Sequence, residues 1–112
     1  MKVLLVKPGE YPEVKEIRDG LKSMQELVGG LIQVIYPFED PVALVCNDEG
    51  KLLGLELNRA LRHPETGQVY DIISGSFFIC GLGEEDFASL TDGQIQKYEE
   101  VFHYPEVFIP CQ

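Results

Sequence analysis

Helical periodicity occurs in only two short stretches of this chain, and most of what precedes and separates them is apolar runs of strand length. In "DGLKSMQELVGG" the residues Leu21, Met24, Leu27 and Val28 recur at helical spacing. Asp19 is placed to cap the exposed N–H groups at the start, and Gly29-Gly30 ends the segment. In "SLTDGQIQKYEEVF" Leu90, Ile95, Tyr98, Val101 and Phe102 make one apolar stripe, and Thr91 stands three residues before Gln94, the spacing of a capping box. A doubly wound parallel fold needs a helix between most of its strands, and two helices do not supply them. The pattern predicts an α+β fold: a single small, mostly antiparallel β-sheet with two helices packed on one face.

The strand candidates follow from composition and punctuation. "KVLLV" (2–6) is followed by the turn-forming "KPGEYPE", and "EVKEI" (13–17) then alternates as a half-buried strand does, although it reads nearly as well as a helix start. "LIQVIYPF" (31–38) is β-branched and aromatic, "VALVC" (42–46) is a further run, and "RHPETGQ" marks a turn. "VYDIISGSFFICGL" is the longest β-prone run, with Gly75 inside it pointing to a bulge or a close backbone approach. "HYPEVFIPCQ" has two prolines and no period. The expected organisation is one globular domain over residues 1–103 and an extended tail over 104–112. Its length, 112 residues, gives one core and not two.

Several function classes are disfavoured at this level. No apolar run approaches the roughly 18 residues of a membrane span, and no export signal is visible. Cys46, Cys80 and Cys111 form an odd set without CxxC spacing, which points to a reducing cytoplasm and no disulfide framework. The net charge is -10, and residues 83–112 hold seven acids against one base. Such a surface repels phosphate, so direct nucleic-acid binding is not expected. The acids Glu84, Glu85, Asp86, Asp92, Glu99 and Glu100 offer instead a face for a basic partner.

The stretch "VCNDEGKLLGLELNRAL" (45–61) carries the densest polar cluster. Gly50 and Glu56 match the second half of an EF-hand loop, but its first ligand would be Val45, so no metal is expected. "VALVC" and "KLLGL" read as a β-hairpin joined by "NDEG", with Gly50 in the left-handed position of a type I turn. Asn58 and Arg59 read either as a cap with a solvated arginine, beginning a helical turn through "NRAL", or as a ligand-facing amide and guanidinium. The candidate ligand or partner site is therefore Asn47, Asp48, Glu49, Asn58 and Arg59. Gly81-Leu82-Gly83 resembles a phosphate loop, but three acids follow it where an anion would have to sit. None of GxxxxGK[ST], GxSxG, HExxH or paired CxxC occurs, and pairing Cys111 with His63 or His103 would place a nucleophile one residue from the chain end. No catalytic residue and no cofactor are expected.

The segments "VGGLIQVIYP", "CNDEGKLLGLELNRAL" and "DIISGSFFICGLGEEDFASLTDGQIQKYEEVF" together resemble the bacterial family known as domain of unknown function 3846, over about residues 1–103. The positions that carry the likeness are Asn47, Asp48, Glu49, Gly50, Lys51, Asn58, Ile73 and Gly75. The resemblance implies a setting in Firmicutes, their phages and their conjugative elements, and it assigns no catalytic residue. Three functions stay open: a non-enzymatic accessory or binding protein with a protein or small-molecule partner, an acidic DNA-mimic inhibitor of a basic host protein, and a nucleotide-binding enzyme with an unrecognised site. Homo-oligomerisation through an open sheet edge is compatible with each.

Overall fold

The structure, a computed structural model, describes residues 1–109. The chain runs β1 (Lys2–Val6), β2 (Glu13–Glu16), α1 (Leu21–Val28), β3 (Ile32–Ile35), β4 (Val42–Asn47), β5 (Leu57–Arg62), β6 (Val69–Ser74), β7 (Phe77–Leu82), β8 (Phe87–Ala88) and α2 (Asp92–Val101). All pairings are antiparallel. The main sheet has the order β2-β1-β7-β4-β3, with β8 added on β7, and β5 and β6 form a separate two-stranded sheet. The α+β class and the antiparallel pairing are as expected, but the expected single sheet is two, because Gly75 turns the chain from the β5–β6 pair into the main sheet. The β1–β2 hairpin forms with Leu5 opposite Glu13 and Lys2 opposite Glu16.

The helices do not share a face. Val3, Leu5, Ala43, Val45, Phe78 and Cys80 pack with Met24 and Val28 of α1, whereas Leu4, Val6, Leu44, Phe77 and Ile79 pack with Ile95 and Tyr98 of α2. Successive residues of a strand point to opposite faces, so these two clusters lie on opposite sides of the sheet. The central strands are buried on both sides and carry consecutive apolar residues, 3–6 in β1, 42–46 in β4 and 77–80 in β7, rather than alternate ones. The β5–β6 sheet contributes Leu61 and Ile73 to the α2 side.

The two helix ends are held differently. Thr91 and Gln94 close the expected capping box at the start of α2. Asp19 does not cap α1: the N-cap is Gly20 without a side-chain bond, and Asp19 lies 3.5 Å from the terminal amine instead. Gly29 ends α1 in the left-handed conformation, its N–H donating to Gln25 O. In "VYDIISGSFFICGL" Gly75 (φ +83°) is where the chain leaves one sheet for the other, since β6 pairs with β5 while β7 lies between β1 and β4. Its N–H donates to Glu56 O at 2.7 Å, and a Cβ there would meet Leu55 Cδ1 at 2.8 Å, so the close backbone approach is realised.

On the α2 side, buried Tyr98 donates its hydroxyl to Asp40 Oδ2 at 2.6 Å, and Lys97 Nζ donates to the same oxygen at 2.5 Å. The Lys97 bond first, and the Tyr98 bond second, hold the Asp40 carboxyl below its ordinary 3.8. Burial, followed by the Asp40 contact, pushes the Tyr98 phenol well above its usual 10. A carboxyl with a depressed folded pKa contributes stability that is complete above its unfolded value and lost as the pH falls through the folded one. Asp40→Asn is therefore expected to lower the urea midpoint at about pH 7 and to approach the wild type as the pH drops below 3.8. A gap that stays constant across that window would show that ionised Asp40 contributes nothing.

Candidate functional site

The polar cluster after β4 is a compact turn and not a hairpin. Asn47 closes it: its Oδ1 accepts from the Glu49 N–H at 2.8 Å, and its Nδ2 donates to Val28 O at 3.2 Å, which ties the turn to the end of α1. Leu53 N–H then donates to Glu49 O, and Leu55 N–H to Gly50 O. "KLLGL" is thus coiled rather than extended, with Leu52 87% and Leu53 60% exposed, and the strand that follows pairs with β6 instead of β4. Gly50 is not left-handed. Its missing side chain matters for a different reason, since a Cβ would stand 2.7 Å from Ser74 O on β6.

That seating creates a cleft of about 110 Å³ between the turn, β3–β4 and β6, lined among others by Gln33, Cys46, Asp48, Glu49, Asp71 and Ser74. Two of its lining residues form an ion pair, Lys51 Nζ donating to Asp71 Oδ1 at 2.7 Å. The lining carries three carboxylates (Asp48, Glu49, Asp71) against one ammonium, Lys51. At roughly 30 Å³ per water the space holds about four waters, well short of the roughly 300 Å³ at which sites for drug-sized ligands begin. It accommodates the polar end of one side chain. Cys46 lines the cleft but supplies no nucleophile at neutral pH, because burial first, then Asp71 and Asp48, raise its thiol to about 11. Cys80, in the opposite layer, is pushed up to about 12 by burial.

Asn58 and Arg59 are not part of this cleft. They lie in β5 at a register shift: Leu57 faces Ser74 and Arg59 faces Ile73, so Asn58 is the extra residue of a β-bulge. A bulge breaks the alternation of a strand, and both side chains turn inward, Asn58 fully buried and Arg59 2% exposed. Neither the cap nor the solvated arginine holds. Asn58 Nδ2 donates to Val6 O and Gly75 O, each at 2.9 Å. Arg59 donates from Nε and Nη2 to Phe102 O, from Nη2 to Glu10 O at 2.6 Å, and from Nη1 to Asn58 Oδ1 at 2.9 Å. Burial lowers the guanidinium pKa, while Glu106 opposes that shift. The pair therefore joins β5 to the end of β1, the β6–β7 turn and the end of α2.

Glu106, beyond the expected domain boundary, accepts from Ala60 N–H and from Arg62 Nη1, so the tail is held to β5 as far as that residue. Cys111 lies outside the described residues. His63 packs on Tyr70 and His103 on Tyr11, at 4.7 and 4.9 Å between ring centroids. Of the acids expected to meet a basic partner, Glu84, Glu85 and Asp86 occupy the β7–β8 loop, Asp92 begins α2, and Glu99 and Glu100 lie near its end. All are exposed except Glu99, which is half-buried. Sequence reasoning missed Gln33, Asp71 and Ser74, which reach the cleft only because β6 folds over β4. Among the described residues no group of three or more His, Cys, Asp or Glu side chains is placed to hold a metal ion, and no helix is long and apolar enough to cross a membrane.

No curated protein and no solved structure matches this chain. The family model described as "Domain of unknown function (DUF3846)" matches residues 1–103, which takes in every strand, both helices, and the turn and cleft. The chain belongs to the DUF3846 family.

Proposed function

We propose that this protein is a non-enzymatic accessory or binding protein of the cytoplasm, encoded by a bacterium or its phage or conjugative element, which receives a basic side chain of a protein partner in the cleft at Asp48, Glu49 and Asp71. One observation carries the reading: the cleft has room for a single polar head group, and three carboxylates line it against one ammonium. A lysine or arginine there would compete with Lys51 for Asp71, whose salt bridge is exposed and therefore cheap to exchange. Buried, protonated Cys46 and Cys80 suit a reducing compartment.

The test is a titration of the ¹⁵N-labelled protein with N-acetylarginine amide, a single blocked side chain. Saturable shifts at Asp48, Glu49, Lys51, Asp71 and Ser74 are expected, with a dissociation constant on the order of 1 mM that rises with salt. Shifts spread over Glu84–Asp86 and Glu100, with none at the turn, would refute the cleft and favour an acidic surface acting as a whole.

A further inference from the structure

The main sheet ends in two unlike edges. At one end β2 carries Glu13, Lys15 and Glu16 and follows Pro12, the charged and proline-flanked composition that protects an edge from pairing. At the other end β3 and its flanks, Leu31 to Phe38, hold no charged residue, and Leu31 and Tyr36 are 57% and 62% exposed. The Asp48 N–H donates to Leu31 O at 2.8 Å, and the β3–β4 register continues from Ile32 opposite Asn47. In the alternation of an antiparallel ladder Leu31, Gln33 and Ile35 therefore turn their backbone groups to β4, and Ile32 and Val34 turn theirs outward. Among the described residues no strand pairs with that outer side.

The open edge adjoins the cleft. Gln33 is exposed, lies opposite Cys46, and both line the cleft. A strand added antiparallel to β3 would place one residue opposite Gln33 in a non-hydrogen-bonded pair, the closer of the two kinds, with its side chain on the cleft face. Asp48, Glu49 and Asp71 make a cation the complementary choice there. A second copy of this chain does not meet the requirement, because its own Leu31–Phe38 segment has no base to offer and both copies carry a charge of -10.

We infer that the outer edge of β3 is a docking strand for an extended basic segment of a partner protein, which adds to the sheet by main-chain hydrogen bonds and sets a lysine or arginine into the cleft. This rests on the cleft reading above and adds the form of the partner to it. Backbone pairing supplies affinity in this mode and the alternate side chain supplies specificity.

The probe is a short synthetic peptide in which lysine alternates with valine and threonine, measured by fluorescence anisotropy. Its lysines pair with Gln33, so their N–H groups point away from β3, and the residues between them turn N–H groups toward it. N-methylation of the intervening residues is expected to weaken binding about tenfold or more, and N-methylation of the lysines less than about threefold. Replacing lysine by glutamate abolishes binding, and Asp48→Asn combined with Asp71→Asn weakens it about tenfold. Val34→Pro removes an outward N–H without breaking the ladder to β4 and lowers affinity comparably. Equal effects of the two methylation patterns, a glutamate peptide that binds as well, no binding at all, or a β3-dependent dimer by sedimentation would each overturn the docking strand. N-acetylarginine amide acting at the cleft while the peptide gains nothing over it would leave the cleft reading standing and the docking strand refuted.

Discussion

Arg59→Met is expected to destabilise the protein by about 4 kcal/mol, read as a lower urea midpoint with an unchanged slope. Methionine keeps most of the length and apolar contact of the arginine stem, so the loss is that of the guanidinium alone. Two opposing effects decide the magnitude. Removing a buried cation relieves its desolvation, and a buried charge replaced by an apolar group is sometimes neutral. That relief requires the partners to become apolar as well, and here they are the Phe102 and Glu10 carbonyls and the Asn58 amide oxygen, all of which remain. The Glu10 carbonyl can turn to water, but Phe102 O and Asn58 Oδ1 are buried, and each buried acceptor left without a donor costs about 1–3 kcal/mol, so these two outweigh the relief. Arg59→Lys should recover only part of the loss, since one ammonium cannot reproduce a fork that reaches three segments. A Met variant within about 1 kcal/mol of the wild type would show that the contacts are not an anchor and would reopen a ligand-facing role for this residue.

What could be read beforehand and what could not differ in physical kind. The capping box at Thr91 and the stripe Leu90, Ile95, Tyr98 and Phe102 are local, and both appear as expected, apart from Val101, which is 53% exposed. The expectation that both helices cover one face failed against a signal the sequence does contain: "KVLLV", "VALVC" and "FFIC" are apolar at both parities, as a sheet covered on two faces requires. Asn58 and Arg59 were not legible in this way. Their partners Val6, Glu10 and Phe102 lie 52, 49 and 43 residues away, and a bulge leaves no mark in the polarity of "LNRAL". The run "KLLGL" misleads because its leucines look like a strand, although the turn leaves Leu52 and Leu53 in solvent. Of the candidate site, Asp48 and Glu49 announce themselves as a polar cluster. Their counterpart Asp71 becomes visible only when β6 is folded over them.

Gly50→Ala is expected to cost about 2 kcal/mol and to weaken N-acetylarginine amide binding about tenfold. At an unstrained backbone position the same change would stabilise by roughly 0.4–1 kcal/mol, because alanine restricts the unfolded chain. Here the new Cβ stands 2.7 Å from Ser74 O and 3.4 Å from its carbonyl carbon, and the obstacle is strand backbone that cannot rotate aside. Overpacking of this kind costs about 1–3 kcal/mol, and relief comes by lifting the turn from β6. The movement carries Asp48 and Glu49 away from Asp71 and lengthens the 2.7 Å Lys51–Asp71 bridge, so the turn and β6 no longer line one cleft. Gly54→Ala is the matching control. Gly54 has φ +68°, and no atom lies within 4 Å of where its Cβ would stand, so alanine there meets backbone strain of about 1 kcal/mol but no obstacle, and binding should hold. Thermal melts and the same ¹⁵N titration separate the two variants. If Gly50→Ala proves as stable as the wild type and binds the cation equally well, the turn is not seated on β6 and the cleft does not form its site.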